Sequence, residues 1–187
     1  MLKAINIKNL SNFKFYIVEV PRDGHCFFHS ILFCTQADYR FSSSQEKNNR
    51  VLSFRKFLSE LIDSKPPNSF LTYYDIINNG STREFSNCVP EYSLKSMKET
   101  LNSNSPIGYG FFDFFSMVMN IDIYIINSSG DLYKSDEFNL SIKGNRECVL
   151  LHYTNGHYQP ITLLDNDKFL YSFNYNSTVS TILKNLR

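Results

Sequence analysis

The chain has 187 residues, a length that suits one domain with its own core. Hydrophobic residues make up 42% and aromatic residues 16% of the sequence, which excludes an intrinsically disordered chain. The net charge is +1 and no long run of like charge occurs, so the sequence argues against nucleic-acid binding.

The first ten residues, MLKAINIKNL, contain no continuous apolar region, so we expect no secretory signal peptide there. A signal recognised by a specialised bacterial secretion system would escape this test. No stretch approaches the eighteen apolar residues of a membrane-spanning helix, so we expect no membrane span. Frequent Asn, Lys, Ile and Tyr are typical of AT-rich genomes, such as those of some insect viruses and intracellular bacteria. Because we expect neither a signal peptide nor a membrane span, we expect a cytoplasmic protein, in the host cytosol if the source is viral or a secreting bacterium.

The first predicted strand and the first predicted helix meet in a tight loop. Residues 15–20 (FYIVEV) alternate like a strand, and Pro21 ends the pattern before the turn-forming Arg22-Asp23-Gly24. The apolar residues from Cys26 to about Gln36 fit a helix that begins at this loop. Cys26 is thereby predicted to lie at a helix N-terminus.

The most regular helical pattern follows. Apolar residues recur at helical intervals from Glu46 to Ser64, and Pro66 and Pro67 end the pattern. Three shorter helices are predicted after it. They cover residues 70–77, 91–101 and 111–119.

Beyond these helices the apolar period becomes that of strands. Strands are predicted at residues 122–127, 132–134, 148–153 and 157–164, joined by loops rich in Ser, Gly and Asn. Residues 177–186 are predicted to form one more short helix. No internal repeat or low-complexity linker divides the chain, so we expect residues 1–187 to form one α+β domain.

The cysteines give no sign of a metal site or a disulfide framework. Cys26, Cys34, Cys88 and Cys148 are scattered and form no C-x2-C pair. This distribution is best suited to a reducing compartment.

Cys26 is the candidate nucleophile. A thiolate, rather than a thiol with its ordinary pKa of about 8.5, attacks a carbonyl, and the positive end of a helix dipole stabilises the thiolate. Gly24 permits a sharp backbone turn, so the N–H groups near Gly24, His25 and Cys26 could form an oxyanion hole.

His157 is the best candidate for the base among the four histidines. It begins a strand directly after a turn, so its ring can project from the sheet edge toward the start of a helix. His152 lies within an apolar strand, and His25 and His29 are too near Cys26 along the chain.

Gln159 lies two residues after His157 and points to the same side of the strand, where it could accept from the Nδ1–H of His157. A Cys at a helix start or a single His on a strand more often serves packing than chemistry. The residues alone therefore support only a candidate dyad.

Two segments resemble the signature of the ovarian tumour (OTU) family of cysteine proteases. Residues 22–31 (RDGHCFFHSI) resemble its Asp-Gly-x-Cys motif, which is followed by two large apolar residues, a polar residue and a small one. Residues 149–158 (VLLHYTNGHY) resemble its hydrophobic strand, short turn and His-Tyr. Residues 109–126 are similar to the aromatic-Gly, helix and strand segment of the family, and the resemblance covers about residues 18–163.

The resemblance implies a papain-like α+β fold, in which a small, mostly antiparallel β-sheet packs between helices. It implies that Cys26 is the nucleophile, that His157 is the general base and then acid, and that Asp23 shapes the loop that holds the oxyanion. For Asp23 the alternative is an ordinary turn residue before Gly24. The family often has Asp or Asn at the position of Gln159, so the third catalytic residue stays open. Besides Gln159, the alternatives are Asn6, Asn12 or no third residue.

The activity implied is that of a deubiquitinase, which hydrolyses the bond after the C-terminal Gly of ubiquitin through a thioester and requires no metal and no cofactor. The implied partners are ubiquitin or polyubiquitin chains, held on helices between about Phe54 and Leu101. Two alternatives remain. One is an OTU-like module that binds ubiquitin without cleaving it, and the other is a protease for a ubiquitin-like modifier or a viral polyprotein.

Overall fold

The computed structural model describes residues 2–8, 10–78, 92–130, 132–134 and 146–185. The described helices are α1 (Cys26–Thr35), α2 (Ala37–Phe41), α3 (Ser44–Leu61), α4 (Tyr73–Asn78), α5 (Leu94–Leu101), α6 (Phe112–Met119) and α7 (Thr178–Asn185). A 3-10 turn at Tyr109–Phe111 precedes α6. The described strands are β1 (Leu2–Ile5), β2 (Lys14–Val18), β3 (Ile121–Asn127), β4 (Leu132–Lys134), β5 (Glu147–Thr154), β6 (His157–Asp165) and β7 (Lys168–Leu170).

One sheet contains all of these strands. Its order is β1-β2-β6-β5-β3-β4, and β7 pairs with β6. Strands β3 and β5 are parallel, whereas the other pairings among the described strands are antiparallel. The predicted α+β architecture with a mostly antiparallel sheet is therefore confirmed.

The sheet separates two apolar clusters. Alternate residues of β3 point to opposite faces: Ile123 and Ile125 belong to one cluster, and Tyr124 and Ile126 to the other. The first cluster contains the apolar residues of α1, α3, α5 and α6, whereas the second receives α7 through Val179. Helices thus cover both faces of the sheet, as expected.

Helix α3 begins with a capping box. Ser43 accepts a hydrogen bond from the Glu46 N–H, and the Glu46 carboxylate accepts one from the Ser43 N–H. This exchange satisfies two backbone donors at the helix start. Val51 and Leu58 then bury the apolar side of the helix.

The predicted elements occur in the part of the chain that the structure describes, with ends that differ by up to three residues. The predicted helix ends at Glu91 and Leu186 lie outside the described residues. Strands β1 and β7 and helix α2, which have three to five residues each, were not predicted. Within the described ranges, none of the helices combines the length and the apolar character that a membrane crossing requires.

Candidate active site

Helix α1 contacts strand β6 at the point where β2 ends. The β2–β6 ladder stops at the pair Ile17 and Ile161, so the first residues of β6 are open to the start of α1. There the Tyr158 N–H donates to Cys26 Sγ, at 3.5 Å. The Ser30 hydroxyl, one helical turn after Cys26, donates to the Cys26 carbonyl at 2.7 Å and lies 3.2 Å from the Tyr158 carbonyl oxygen. Helix α1 thus packs where a neighbouring strand would pair, and it brings the thiol to the backbone of the residue that follows His157.

Aromatic packing fixes this contact. The Phe27 ring stacks on Phe112 of α6 with centroids 5.1 Å apart, and it meets the Tyr158 ring edge-on at 5.4 Å. All three residues are buried. Because Phe27 directly follows Cys26, the core itself determines where the thiol lies.

The loop before Cys26 is closely packed. Gly24 has a φ of +81°, and a Cβ atom there would overlap the backbone carbonyl of Asn104. The Asp23 carboxylate accepts a hydrogen bond from the His25 N–H at 2.9 Å. The His25 N–H was one of the expected oxyanion donors, and this bond to Asp23 engages it.

Asp23 is further connected to the body of the protein. Its second carboxylate oxygen lies 3.2 Å from His29 Nε2, and His29 Nδ1 is hydrogen bonded to the Tyr39 hydroxyl. Because the Asp23 carboxylate can only accept, the neutral His29 carries its proton on Nε2 and donates it to Asp23, and its Nδ1 accepts from the Tyr39 O–H. Burial also acts to raise the pKa of Asp23, but the bond from His25 and the neighbouring His29 outweigh it and the pKa is lowered. Asp23 therefore anchors the loop as an anion.

His157 is 2% exposed, and its Nε2 has no hydrogen-bond partner among the described residues. Burial lowers its pKa, and the positive charge of Arg22 adds to this effect. Glu19, Asp23 and the Val20 backbone oppose the shift. The ring is therefore mainly neutral at pH 7, which is the state that a general base requires.

Gln159 does not have the partner that we expected. Its amide donates to the Glu19 carboxylate at 3.0 Å, and His152 lies opposite it on β5. A hydrogen bond between Gln159 and His152 partly opposes the lowering of the His152 pKa by burial. Neighbours across strands are closer than residues two apart along one strand, so the register gives Gln159 these partners instead of His157. No described hydrogen bond joins His157 to Asn6 or Asn12.

Arg55 of α3 is a buried cation behind the Cys26 loop, and its importance was not predicted. It is 1% exposed, its Nη1 lies 3.2 Å from His25 Nδ1, and its guanidinium lies 4.4 Å from the centre of the Phe28 ring. Its guanidinium donates to three backbone carbonyls in and after the last turn of α5: Thr100, Leu101 and Ser105. Burial lowers its pKa to about 10, so it stays charged at neutral pH. Arg55 thus ties the segment that packs on Gly24 to the rest of the core.

An apolar groove of about 650 Å³ opens beside the site. Gly156 and Tyr158, the two neighbours of His157, line it together with Phe112, Ile125 and Tyr153. It offers room for a polypeptide segment beside the two residues that flank His157. Among the described residues, no group of three His, Cys, Asp or Glu side chains has an arrangement suited to a metal ion.

Neither protein-family models nor curated proteins give a match to this chain. Solved structures do. An ovarian tumour (OTU) domain in complex with ubiquitin has a TM-score of 0.60 and 20% sequence identity, over 98% of this chain and 90% of that chain. The viral OTU domain protease from Dera Ghazi Khan virus has a TM-score of 0.51 and 18% identity, over 87% of each chain. The structural neighbours are thus OTU domains, and this chain has their fold.

Proposed function

We propose that this chain is a thiol-dependent hydrolase that removes ubiquitin from other proteins, with Cys26 as nucleophile and His157 as base. One observation carries the proposal: the Cys26 sulfur lies 3.5 Å from the backbone nitrogen of Tyr158, the residue that directly follows the buried His157. The similarity in fold to an OTU domain that was solved with ubiquitin supports ubiquitin as the partner.

In the proposed reaction, His157 takes the proton of the Cys26 thiol, and the thiolate attacks the carbonyl carbon of the C-terminal Gly of ubiquitin. The resulting oxyanion is held by backbone N–H groups of the Cys26 loop. When the C–N bond breaks, His157 gives its proton to the departing lysine amine and a thioester remains. Water then attacks the thioester while His157 takes its proton. Free ubiquitin leaves, and the proton returns to the Cys26 sulfur.

The surroundings of Cys26 support the first step. The start of α1 provides the positive end of a helix dipole, and the Tyr158 N–H already points at the sulfur. This N–H can donate to the sulfur while the bond to the substrate carbon forms. The Ser30 hydroxyl holds the helix against β6 and keeps the donor in place.

Hydrolysis of a ubiquitin C-terminal fluorogenic amide tests the proposal. We expect turnover by the wild-type chain, none by Cys26→Ala, and a loss of at least about 100-fold for His157→Gln. Cys34→Ala is the matched control, because Cys34 is a buried thiol whose pKa burial raises to about 12. It should retain turnover. Turnover by Cys26→Ala would refute the assignment of the nucleophile.

The second candidate is an OTU-like module that binds ubiquitin without cleaving it. It is favoured by one observation: no hydrogen bond between the His157 ring and Cys26 occurs among the described contacts. Calorimetric titration with unmodified ubiquitin distinguishes the two functions. Binding together with no turnover identifies the module, whereas turnover excludes it. A panel of amides made from ubiquitin-like modifiers then separates ubiquitin from its relatives as the substrate.

A further inference from the structure

We propose that Glu19 is the acidic partner of His157, and that Gln159 is a positioning residue whose amide holds the Glu19 carboxylate near the imidazole. The role of Glu19 and Gln159 in catalysis rests on the proposed function. The pairing of charges itself can be measured without ubiquitin.

The β2–β6 register brings the three residues together. Ile17 and Ile161 form the last pair of the ladder, and Glu19 follows the end of β2, where its carboxylate lies 3.0 Å from the Gln159 amide nitrogen. His157 precedes Gln159 by two residues and shares its face of the strand. Diagonal neighbours on adjacent strands are within reach of long side chains, and Glu19 is such a neighbour of His157.

Gln159 is held at both ends of its amide. It is 4% exposed, its NH₂ group donates to the Glu19 carboxylate at 3.0 Å, and it forms a hydrogen bond with His152 on the other side. A buried amide between His152 on β5 and Glu19 after the end of β2 can satisfy both partners in one orientation only. The carboxylate of the exposed Glu19 is therefore drawn toward the site instead of turning into solvent.

Charged groups from two sources face His157: Arg22 and Asp23 from the Cys26 loop, and Glu19 from the end of β2. Asp23 is bound to the His25 N–H and to His29, so its carboxylate serves the loop. Of the two carboxylates, Glu19 raises the pKa of His157 more. Glu19 is thus the better placed anion to stabilise the imidazolium.

The chemistry explains the amide at position 159. A base that takes a thiol proton becomes a cation, and a nearby carboxylate stabilises that cation. Gln carries no charge and cannot do this directly. Its NH₂ group can instead orient a carboxylate from the neighbouring strand, so the two residues together replace one aspartate.

The test is the pKa of His157, measured by NMR titration of its imidazole C–H resonance, which is assigned as the signal lost in His157→Gln. Glu19→Gln should lower this pKa by about half a unit or more. Gln159→Ala should lower it less, because the carboxylate stays but is no longer held. Glu19→Asp should retain part of the wild-type value. Glu60→Gln, which removes an exposed carboxylate from α3, is the control and should leave it unchanged.

Equal His157 pKa values in Glu19→Gln and Glu60→Gln would overturn the pairing. A shift in Glu19→Gln together with none in Gln159→Ala would overturn the positioning role of Gln159. The amide-hydrolysis assay reports separately on the proposed function. If the wild-type chain shows no turnover but the Glu19→Gln shift is present, the pairing stands and only the proposed function fails.

Discussion

Replacing Gly24 by Ala would place a methyl group in the loop that carries Cys26. Gly24 has a φ of +81°, and for an L-residue a left-handed conformation costs about 1–2 kcal/mol. The new Cβ would overlap the carbonyl oxygen of Asn104 and lie 3.2 Å from its carbonyl carbon. Because backbone lies on both sides of the contact, the loop and the Asn104 segment must move apart.

Gly130 provides a matched control. Its φ is +87°, but no atom lies within 4 Å of a Cβ added there. Gly130→Ala should therefore lower the free energy of unfolding by about 1–2 kcal/mol and leave the reactivity of Cys26 unchanged. Gly24→Ala should lower the free energy of unfolding by more than this amount. A displacement of about 1 Å at the nucleophile should also slow ubiquitin-amide hydrolysis by about 100-fold.

Urea denaturation gives the stability of both variants, and initial rates of amide hydrolysis give their activity. The difference in stability between the variants isolates the contact with Asn104, because both variants have the cost of a left-handed backbone conformation. Equal stabilities and equal rates for the two variants would refute the view that this contact holds the nucleophile in place.

Three further changes should have measurable effects. Arg55→Met would leave the carbonyls that the guanidinium satisfies without a donor, so the free energy of unfolding in urea should fall by about 3 kcal/mol or more; a fall below about 1 kcal/mol would contradict this. Ser43→Ala removes the capping box and should cost about 1 kcal/mol in the same assay, with unchanged hydrolysis; a large loss of hydrolysis would contradict the assignment of Ser43 to stability alone. Lowering the pH from 7 to 5 should reduce the melting temperature. Burial lowers the pKa of all four histidines in the folded chain, so the unfolded chain binds more protons below about pH 6.5. The stability present above pH 6.5 is then lost as the pH falls through the folded pKa values, and a melting temperature independent of pH over this range would contradict the reasoning.

The parts of the site that were predictable from the sequence depend on local patterns. A strand, a proline and a turn with Gly24 predict a helix that begins at Cys26, and the structure begins α1 there. The turn before His157 likewise predicts the start of β6. Both features are determined by residues within a few positions of each other, which periodicity and turn chemistry can detect.

The remaining features depend on contacts between distant segments. Gln159 forms its hydrogen bond with Glu19, 140 positions away, because β2 and β6 pair in one register. Glu19 left one signal in the sequence, as the single charged residue in the FYIVEV strand. Nothing in the sequence pattern indicates the role of Arg55, because the backbone carbonyls that it binds belong to a segment that periodicity cannot place next to α3.

Peptide mapping of the adduct formed with a ubiquitin that carries a C-terminal electrophile tests the central claim most directly. We expect one ubiquitin to be attached through the peptide that contains Cys26, and none to be attached to Cys26→Ala. Attachment at Cys34 or Cys148, or no attachment to a folded wild-type chain, would contradict the assignment of Cys26 as an activated nucleophile.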